Sequence, residues 1–116
     1  MRNAVDLNRL EGFSDGTPEG VRQIVELFVE ESRDTVAAMT VAFGESDRSA
    51  LTTLAHRLGG SCAAVGAAPL AARLFELEMS GRTVSHEELA SVMDGVEHEF
   101  EETMRFLTAY LEGQTR

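Results

Sequence analysis

A long run of apolar residues at helical spacing near the end of the chain limits the possible folds more than any other feature. Between residues 85 and 113 the apolar side chains recur every three or four positions: Leu89, Val92, Met93, Val96, Phe100, Met104, Leu107 and Leu111. Ser85 and Glu88 form an S-x-x-E capping box, and Gly113 is a typical stop signal. The pattern predicts a helix on the order of 40 Å long, at about 1.5 Å per residue.

Three further segments have the same spacing, and they predict helices from Pro18 to near Gly44, over about 47–65, and from Pro69 to near Gly81. Thr17 and Pro18 suit the start of the first of these helices, and Gly66 ends the second. The stretch before Thr17 predicts a short extra helix lying across the others. No segment alternates as a strand does. The sequence therefore predicts an all-α fold, an antiparallel up-and-down four-helix bundle with a short N-terminal helix, as one domain over 1–116.

Composition excludes several classes of function. The formal net charge is −10, with 10 basic and 20 acidic residues, which argues against a nucleic-acid partner. No apolar run approaches the roughly 18 residues of a membrane span, and the N-terminus lacks a signal-sequence pattern. The single cysteine, Cys62, permits no intramolecular disulfide and no thiolate cage for a metal. We expect a cytoplasmic protein that does not contact membranes.

His56 stands on a face of the second long helix from which large side chains are missing. At about 100° per residue, it lies roughly 160° from the middle of the apolar stripe of that helix. The stripe consists of Leu51, Leu54, Leu58, Cys62 and Val65. The residues beside His56 are all small, and they form the predicted docking surface: Thr52, Thr53, Gly59, Gly60 and Ala63. A glycine costs a helix about 1 kcal/mol relative to alanine, so the two glycines indicate close approach of another backbone or of another molecule.

Three kinds of chemistry are open to an accessible histidine. A hydrolytic site would need a serine or cysteine partner and an orienting acid, but Cys62 lies on the core stripe. A metal site would need ligands three or four residues further on, where the chain has Gly59 and Gly60. The pattern favours an imidazole that accepts a phosphoryl group on one ring nitrogen while an acceptor holds the other. We expect no direct role for His86 or His98, which have acidic neighbours.

The segment HRLGGSCAAVG resembles the motif of histidine-containing phosphotransfer (HPt) domains, roughly H-x-L-K-G-S-S/A-x-x-x-G. The matching positions are His56, Leu58, Gly60, Ser61 and Gly66. LAARLFELE and GR follow at the family's distances, and VRQIVELFVEES and the long last helix extend the resemblance over nearly the whole chain. The resemblance implies a helical bundle that carries a phosphoryl group between the aspartates of receiver domains.

Site residues follow from this resemblance position by position. His56 would be the phosphoacceptor, and Gly60 would let the receiver approach it. Glu78 occupies the position from which family members often hydrogen-bond the non-reacting ring nitrogen, and Arg82 occupies a sometimes basic position near the site. The expected partners are receiver domains of a hybrid sensor histidine kinase or of a response regulator. The receiver supplies Mg²⁺, so the resemblance implies no cofactor, metal or kinase activity in this chain.

One departure from the family pattern concerns the charge at the site. Most members have lysine three residues after the histidine, where this chain has Gly59. Such a cation can offset the charge of the phosphoryl oxygens. Either the partner brings the charge, or Arg57 or Arg82 supplies it, or transfer is slow. Arg57 lies about 100° round the helix from His56 and would have to bend back.

The missing lysine keeps a second hypothesis open, in which the chain is a degenerate HPt-like adaptor that binds a receiver or kinase without accepting phosphate. The intact His56 counts against this hypothesis. An unrelated helical-bundle enzyme is the weakest alternative, because the sequence offers no second catalytic group.

Overall fold

The computed structural model describes residues 3–114, and these residues form five helices and no strand. The helices are α1 (Leu7–Phe13), α2 (Pro18–Gly44), α3 (Arg48–Val65), α4 (Ala68–Ser80) and α5 (His86–Gln114). α2 to α5 form the bundle, in which α3 packs on α2 and α4, and α5 closes the ring against α4 and α2. α1 packs against α3. The predicted all-α bundle with a short N-terminal helix is confirmed.

The apolar stripes of the helices meet in one core. Leu51, Leu58 and Cys62 of α3 are fully buried, as are Leu74 and Leu77 of α4. The predicted stripe of α5 contributes five buried residues, namely Leu89, Met93, Val96, Met104 and Leu107. Burial of these side chains is the main favourable term for the bundle, at about 1.5–3 kcal/mol for each large one.

Polar side chains cap the helices where the sequence indicates. The Thr17 hydroxyl accepts a hydrogen bond from the Gly20 N–H at 3.0 Å, and the Ser85 hydroxyl accepts one from the Glu88 N–H at 3.1 Å. The Asp47 carboxylate accepts from the Ala50 N–H at 3.0 Å at the start of α3. Each bond satisfies one of the backbone donors that a helix leaves unpaired in its first turn.

Gly66 ends α3 by adopting a left-handed conformation, with φ at +87°. Its neighbour closes the last turn, because the Ala67 N–H donates to the Cys62 carbonyl at 2.8 Å. The Gly66 carbonyl accepts from the Asp6 N–H at 2.9 Å, which ties the segment before α1 to this turn. A side chain at Gly66 would collide with the Asp6 carbonyl, so glycine is required both for its φ and for this contact.

Two predicted boundaries were off by one residue. α5 continues past Gly113 to Gln114, and α4 begins at Ala68 rather than at Pro69. The 29 residues of α5 span about 43 Å at 1.5 Å per residue, close to the longest dimension of the fold, 46 Å. No helix within residues 3–114 is long and apolar enough to cross a membrane.

Candidate functional site

His56 projects outward from the middle of α3, and 69% of its side chain is exposed. Ala55 and Leu58, on either side of it in the sequence, are fully buried and anchor that part of the helix. The imidazole is therefore held on a rigid element while its ring remains open to a partner molecule.

Glu78 of α4 holds the imidazole. Nδ1 of His56 lies 2.9 Å and 2.8 Å from the two carboxylate oxygens of Glu78. An ionised carboxylate can only accept hydrogen bonds, so Nδ1 carries the proton and donates it. In the neutral ring the lone pair then resides on Nε2, the other ring nitrogen. Position 78 is also the position at which the family resemblance places a hydrogen-bonding partner for the non-reacting ring nitrogen.

α3 and α4 run antiparallel, and their register defines the surroundings of His56. One turn toward the C-terminus of α3, Gly59 lies against Phe75, and one turn in the other direction Thr52 lies against Gly81. The imidazole–carboxylate pair is thus bounded on one side by an aromatic ring and on the other by the end of α4.

A depression of about 320 Å³ opens beside the imidazole on the Gly81 side. It is lined by Thr52, Thr53, His56, Glu78 and Arg82. The Arg82 side chain is exposed and makes no ion pair within the part of the chain that the structure describes. A guanidinium that lines a cavity with an imidazole can hold phosphoryl oxygens with two donors at once. Arg57 is exposed but lies outside this depression.

The predicted docking surface is only partly exposed. Thr53, Gly60 and Ala63 are exposed, whereas Thr52 is buried, with 3% of its surface accessible, and Gly59 is buried too. The expectation that all five small residues face a partner is therefore wrong for these two.

α4 is the physical reason for this difference. It covers the flank of α3 that carries Thr52 and Gly59, whereas a helical wheel gives a residue's direction but not the position of the neighbouring helix. The Thr52 hydroxyl donates to the Arg48 carbonyl at 2.9 Å, so its polar atom is satisfied inside the helix.

On its other flank, Gly60 borders an apolar groove between α1, α2 and α3. The groove has a volume of about 400 Å³, and its lining includes Phe13, Leu27 and Ala64. Phe13 and Leu27 are among the exposed large apolar side chains of the described chain. The small residues of α3 therefore border an apolar surface on the side away from Glu78.

Two contacts at the site were not predicted from the sequence. Phe75 covers Gly59, and the Ser61 hydroxyl donates to Glu31 of α2 at 2.7 Å. Phe75 lies three residues before Glu78, so both face the same way on α4. That spacing is the signal that could have placed Phe75 beside the histidine. No local pattern connects Ser61 to Glu31, which are 30 residues apart.

The remaining histidines lie outside the site. His86 begins α5 and stacks on Phe43, with ring centroids 5.4 Å apart. His98 is exposed on α5. Cys62 is buried, and burial together with the nearby Glu31 carboxylate raises the pKa of its thiol to about 12. A buried, protonated thiol is a poor nucleophile, which leaves His56 as the accessible nucleophilic group beside the depression.

Comparisons with known proteins agree with this architecture. The family model described as Hpt domain matches residues 23–110. The chain therefore belongs to the histidine-containing phosphotransfer domain family, whose members act as phosphocarriers and interact with receiver domains in phosphorelays.

Two solved structures share the fold over 97% of this chain with a TM-score of 0.85. One is histidine-containing phosphotransfer protein B from Pseudomonas aeruginosa PAO1, at 21% identity and with 97% of that chain covered. The other is a rice protein assigned as a histidine-containing phosphotransfer protein, at 18% identity and with 82% covered. A search of curated protein sequences returns no match.

Proposed function

We propose that this domain is a phosphoryl carrier that accepts a phosphoryl group on Nε2 of His56 from a receiver-domain aspartate and passes it to a downstream receiver. The observation that carries the proposal is the pair of contacts from Nδ1 to the Glu78 carboxylate. These contacts leave Nε2 with a free lone pair on an exposed ring. The site of action is the cytoplasm, where receiver domains of hybrid kinases and response regulators reside.

The transfer step is an attack by Nε2 on the phosphorus of the partner's aspartyl phosphate. The Nε2–P bond forms, the P–O bond breaks, and its electron pair returns to the aspartate as a carboxylate. The ring becomes positively charged while its Nδ1 proton stays on the Glu78 hydrogen bond. Because the Glu78 carboxylate stabilises that charge as it develops, it lowers the barrier to transfer. The reverse step delivers the group to the next aspartate.

The cation at this site is assigned to Arg82. All ten basic residues of the chain are arginines, so no lysine can take the place of the one missing at Gly59. Arg82 lines the depression beside His56, whereas Arg57 does not. The Mg²⁺ that supports transfer is expected in the receiver, and this chain contributes no metal ligand to it.

The docking surface for the receiver consists of Thr53, Gly60 and Ala63. A Cβ atom at Gly60 would meet nothing within 4 Å in the free protein, so packing within the chain does not require glycine there. Clearance for a partner accounts for it. The apolar groove beside Gly60 extends this surface with carbon that a receiver can cover.

Labelling by a receiver domain that carries radioactive phosphate on its aspartate tests the proposal. The wild type should take up acid-labile, alkali-stable label, and His56→Gln should take up none. Glu78→Gln should slow labelling about tenfold, because the amide keeps the shape but not the charge that stabilises the imidazolium. Glu76→Gln, a matched change of an exposed glutamate on the same helix, should label like the wild type. Label on the His56→Gln variant would assign the acceptor to another residue.

The adaptor hypothesis predicts that the wild type takes up no label. Gly59 in place of lysine is the feature that favours this hypothesis. An adaptor binds a receiver but takes up no label, and its binding survives His56→Gln. Gly60→Trp should weaken receiver binding under both hypotheses, because the indole fills the clearance. Binding without label in the wild type would therefore replace the carrier by the adaptor.

A further inference from the structure

Phe75 fills the place that a side chain at position 59 would take. A Cβ atom built on Gly59 would lie 2.6 Å from Cε1 of Phe75, 3.0 Å from Cδ1 and 3.2 Å from Cζ. The optimal separation of non-bonded carbon atoms is about 3.5–4.0 Å. A side chain at 59 therefore requires the Phe75 ring to move from its present position.

Gly59 and Gly60 are consecutive but have different causes. A Cβ atom at Gly60 would meet nothing within 4 Å, whereas one at Gly59 would meet a ring edge. Gly60 faces the open surface, whereas Gly59 packs against an aromatic side chain from the neighbouring helix. The absence of lysine at position 59 is thus coupled to the presence of Phe75 on α4.

The ring lies one turn along the groove between α3 and α4 from the reacting nitrogen. His56 and Gly59 are three residues apart on α3, and Glu78 and Phe75 are three residues apart on α4, so each pair lies on one face. Two neighbouring contacts, one helical turn apart, therefore join the two helices. They are the hydrogen bond between His56 and Glu78 and the contact between Gly59 and Phe75. The depression lined by Arg82 lies in the opposite direction.

The two sides of His56 consequently differ in polarity. On one side lies Phe75, which is 37% exposed, and on the other side the depression is lined by Arg82 and Thr53. Placing charged phosphoryl oxygens against carbon removes water from them without replacing its hydrogen bonds, which is unfavourable. The oxygens are better accommodated on the Arg82 side.

We propose that Phe75 is a positioning residue for phosphotransfer. Its ring packs on Gly59, closes one side of His56 and directs the phosphoryl oxygens toward Arg82. This inference rests on the proposed role of His56 as acceptor. Within it, a lysine at 59 and a ring at 75 are alternative ways to build the same side of the site. The chain uses the ring, and the transfer reaction depends on Arg82 as a result.

The test compares the effect of Arg82→Ala in four backgrounds: wild type, Gly59→Lys, Phe75→Ala, and the double variant G59K/F75A. Phosphoramidate serves as the donor, because this small molecule needs no receiver. Its P–N bond breaks, ammonia leaves with the electron pair, and the Nε2–P bond forms. The initial rate of phosphohistidine formation is measured for each protein with and without Arg82→Ala, and thermal unfolding confirms that each is folded. Val41→Ala, another truncation of an exposed apolar side chain, is the control for Phe75→Ala.

Arg82→Ala should lower the rate about tenfold in the wild type, since the guanidinium is exposed and such a cation contributes less than a buried donor. The loss should shrink only to about fivefold in Gly59→Lys, where the displaced ring still crowds the lysine. It should shrink to about twofold in G59K/F75A, where the lysine can reach the phosphoryl group. The same loss in the double variant as in the wild type would overturn the proposal, and so would a loss in Gly59→Lys as small as that in the double variant.

Gly59→Ala provides an independent check if the lysine variants unfold. Its methyl group displaces the ring without adding charge, so it should lower the rate, as Phe75→Ala should if the ring positions the phosphoryl group. A wild-type rate in Gly59→Ala would contradict the positioning role.

The choice of phosphoryl donor separates the carrier proposal from the proposal for Phe75. If phosphoramidate labels His56 but no receiver does, the receiver-dependent carrier is rejected. The comparison of the four backgrounds then still decides the role of Phe75. No label at His56 from phosphoramidate would reject both.

Discussion

Replacing the two consecutive glycines of α3 by alanine, one at a time, should affect the free energy of unfolding differently. Gly60→Ala should stabilise the fold by about 1 kcal/mol, because alanine is the better helix former and reduces the freedom of the unfolded chain. The new methyl group meets nothing within 4 Å, so no contact opposes the gain. For a domain of this size the melting temperature should rise by about 3–6 °C.

Gly59→Ala has the same intrinsic gain but a structural cost. Its methyl group would lie 2.6 Å from Cε1 of Phe75, so the ring must move away from residue 59. Complete burial of a phenylalanine is worth about 1.5–3 kcal/mol. Phe75 is 37% exposed, so losing the remaining contact should cost about 1–2 kcal/mol. The gain is cancelled, and Gly59→Ala should be neutral or destabilising by up to about 1 kcal/mol.

Urea unfolding followed by circular dichroism measures both changes against the wild type. The Phe75→Ala background supplies the decisive comparison, because Gly59→Ala should become stabilising once the ring is gone. The coupling between positions 59 and 75 should then be about 1–2 kcal/mol, within the range for residues in contact. Equal stabilisation by both alanines in the wild-type background would refute the packing argument.

Two further outcomes concern ionisable groups away from His56. Cys62 should react with a disulfide reagent at pH 8 far more slowly in the folded protein than in urea, because burial shields the thiol and raises its pKa to about 12; comparable rates would show that the α3 core opens readily. The Asp15 carboxylate accepts hydrogen bonds from the N–H and hydroxyl of Thr17 at 2.9 Å and 2.7 Å, which lower its pKa below the usual 3.8. A lowered carboxyl pKa stabilises the fold at pH values above 3.8 and ceases to do so as the pH falls through the folded value. Asp15→Ala should therefore lower the urea midpoint at pH 7 and converge with the wild type in strong acid; an equal loss at both pH values would contradict this.

Local features of the sequence predicted the helices and their ends well. The apolar spacing of α5 predicted its buried face, and Thr17, Ser85 and Gly66 marked helix ends that the structure confirms. These features act over a few residues, because capping bonds and helical periodicity are properties of a single turn or a single helix. The same locality explains why Gly113 was misjudged, since an exposed glycine near a helix end does not have to stop it.

The outward direction of His56 also followed from its own helix. Its 69% exposed side chain lies opposite a stripe that includes Leu51, Leu58 and Cys62, all fully buried. A residue's direction relative to its own core face is determined by the 100° step of the helix. Proximity of Glu78 came instead from the family resemblance, because the two residues are 22 positions apart and no local pattern joins them.

Only the tertiary structure decided how α4 lies against α3. Which flank of the His56 face is covered depends on the rotation and register of the second helix, and these result from the packing of many side chains in the core. That packing buries Thr52 and Gly59, leaves Gly60 open, and places the Phe75 ring where the family usually has a lysine. The sequence by itself determined which residues could face a partner. The contact between the two helices determined which of them do, and gave the two adjacent glycines different roles.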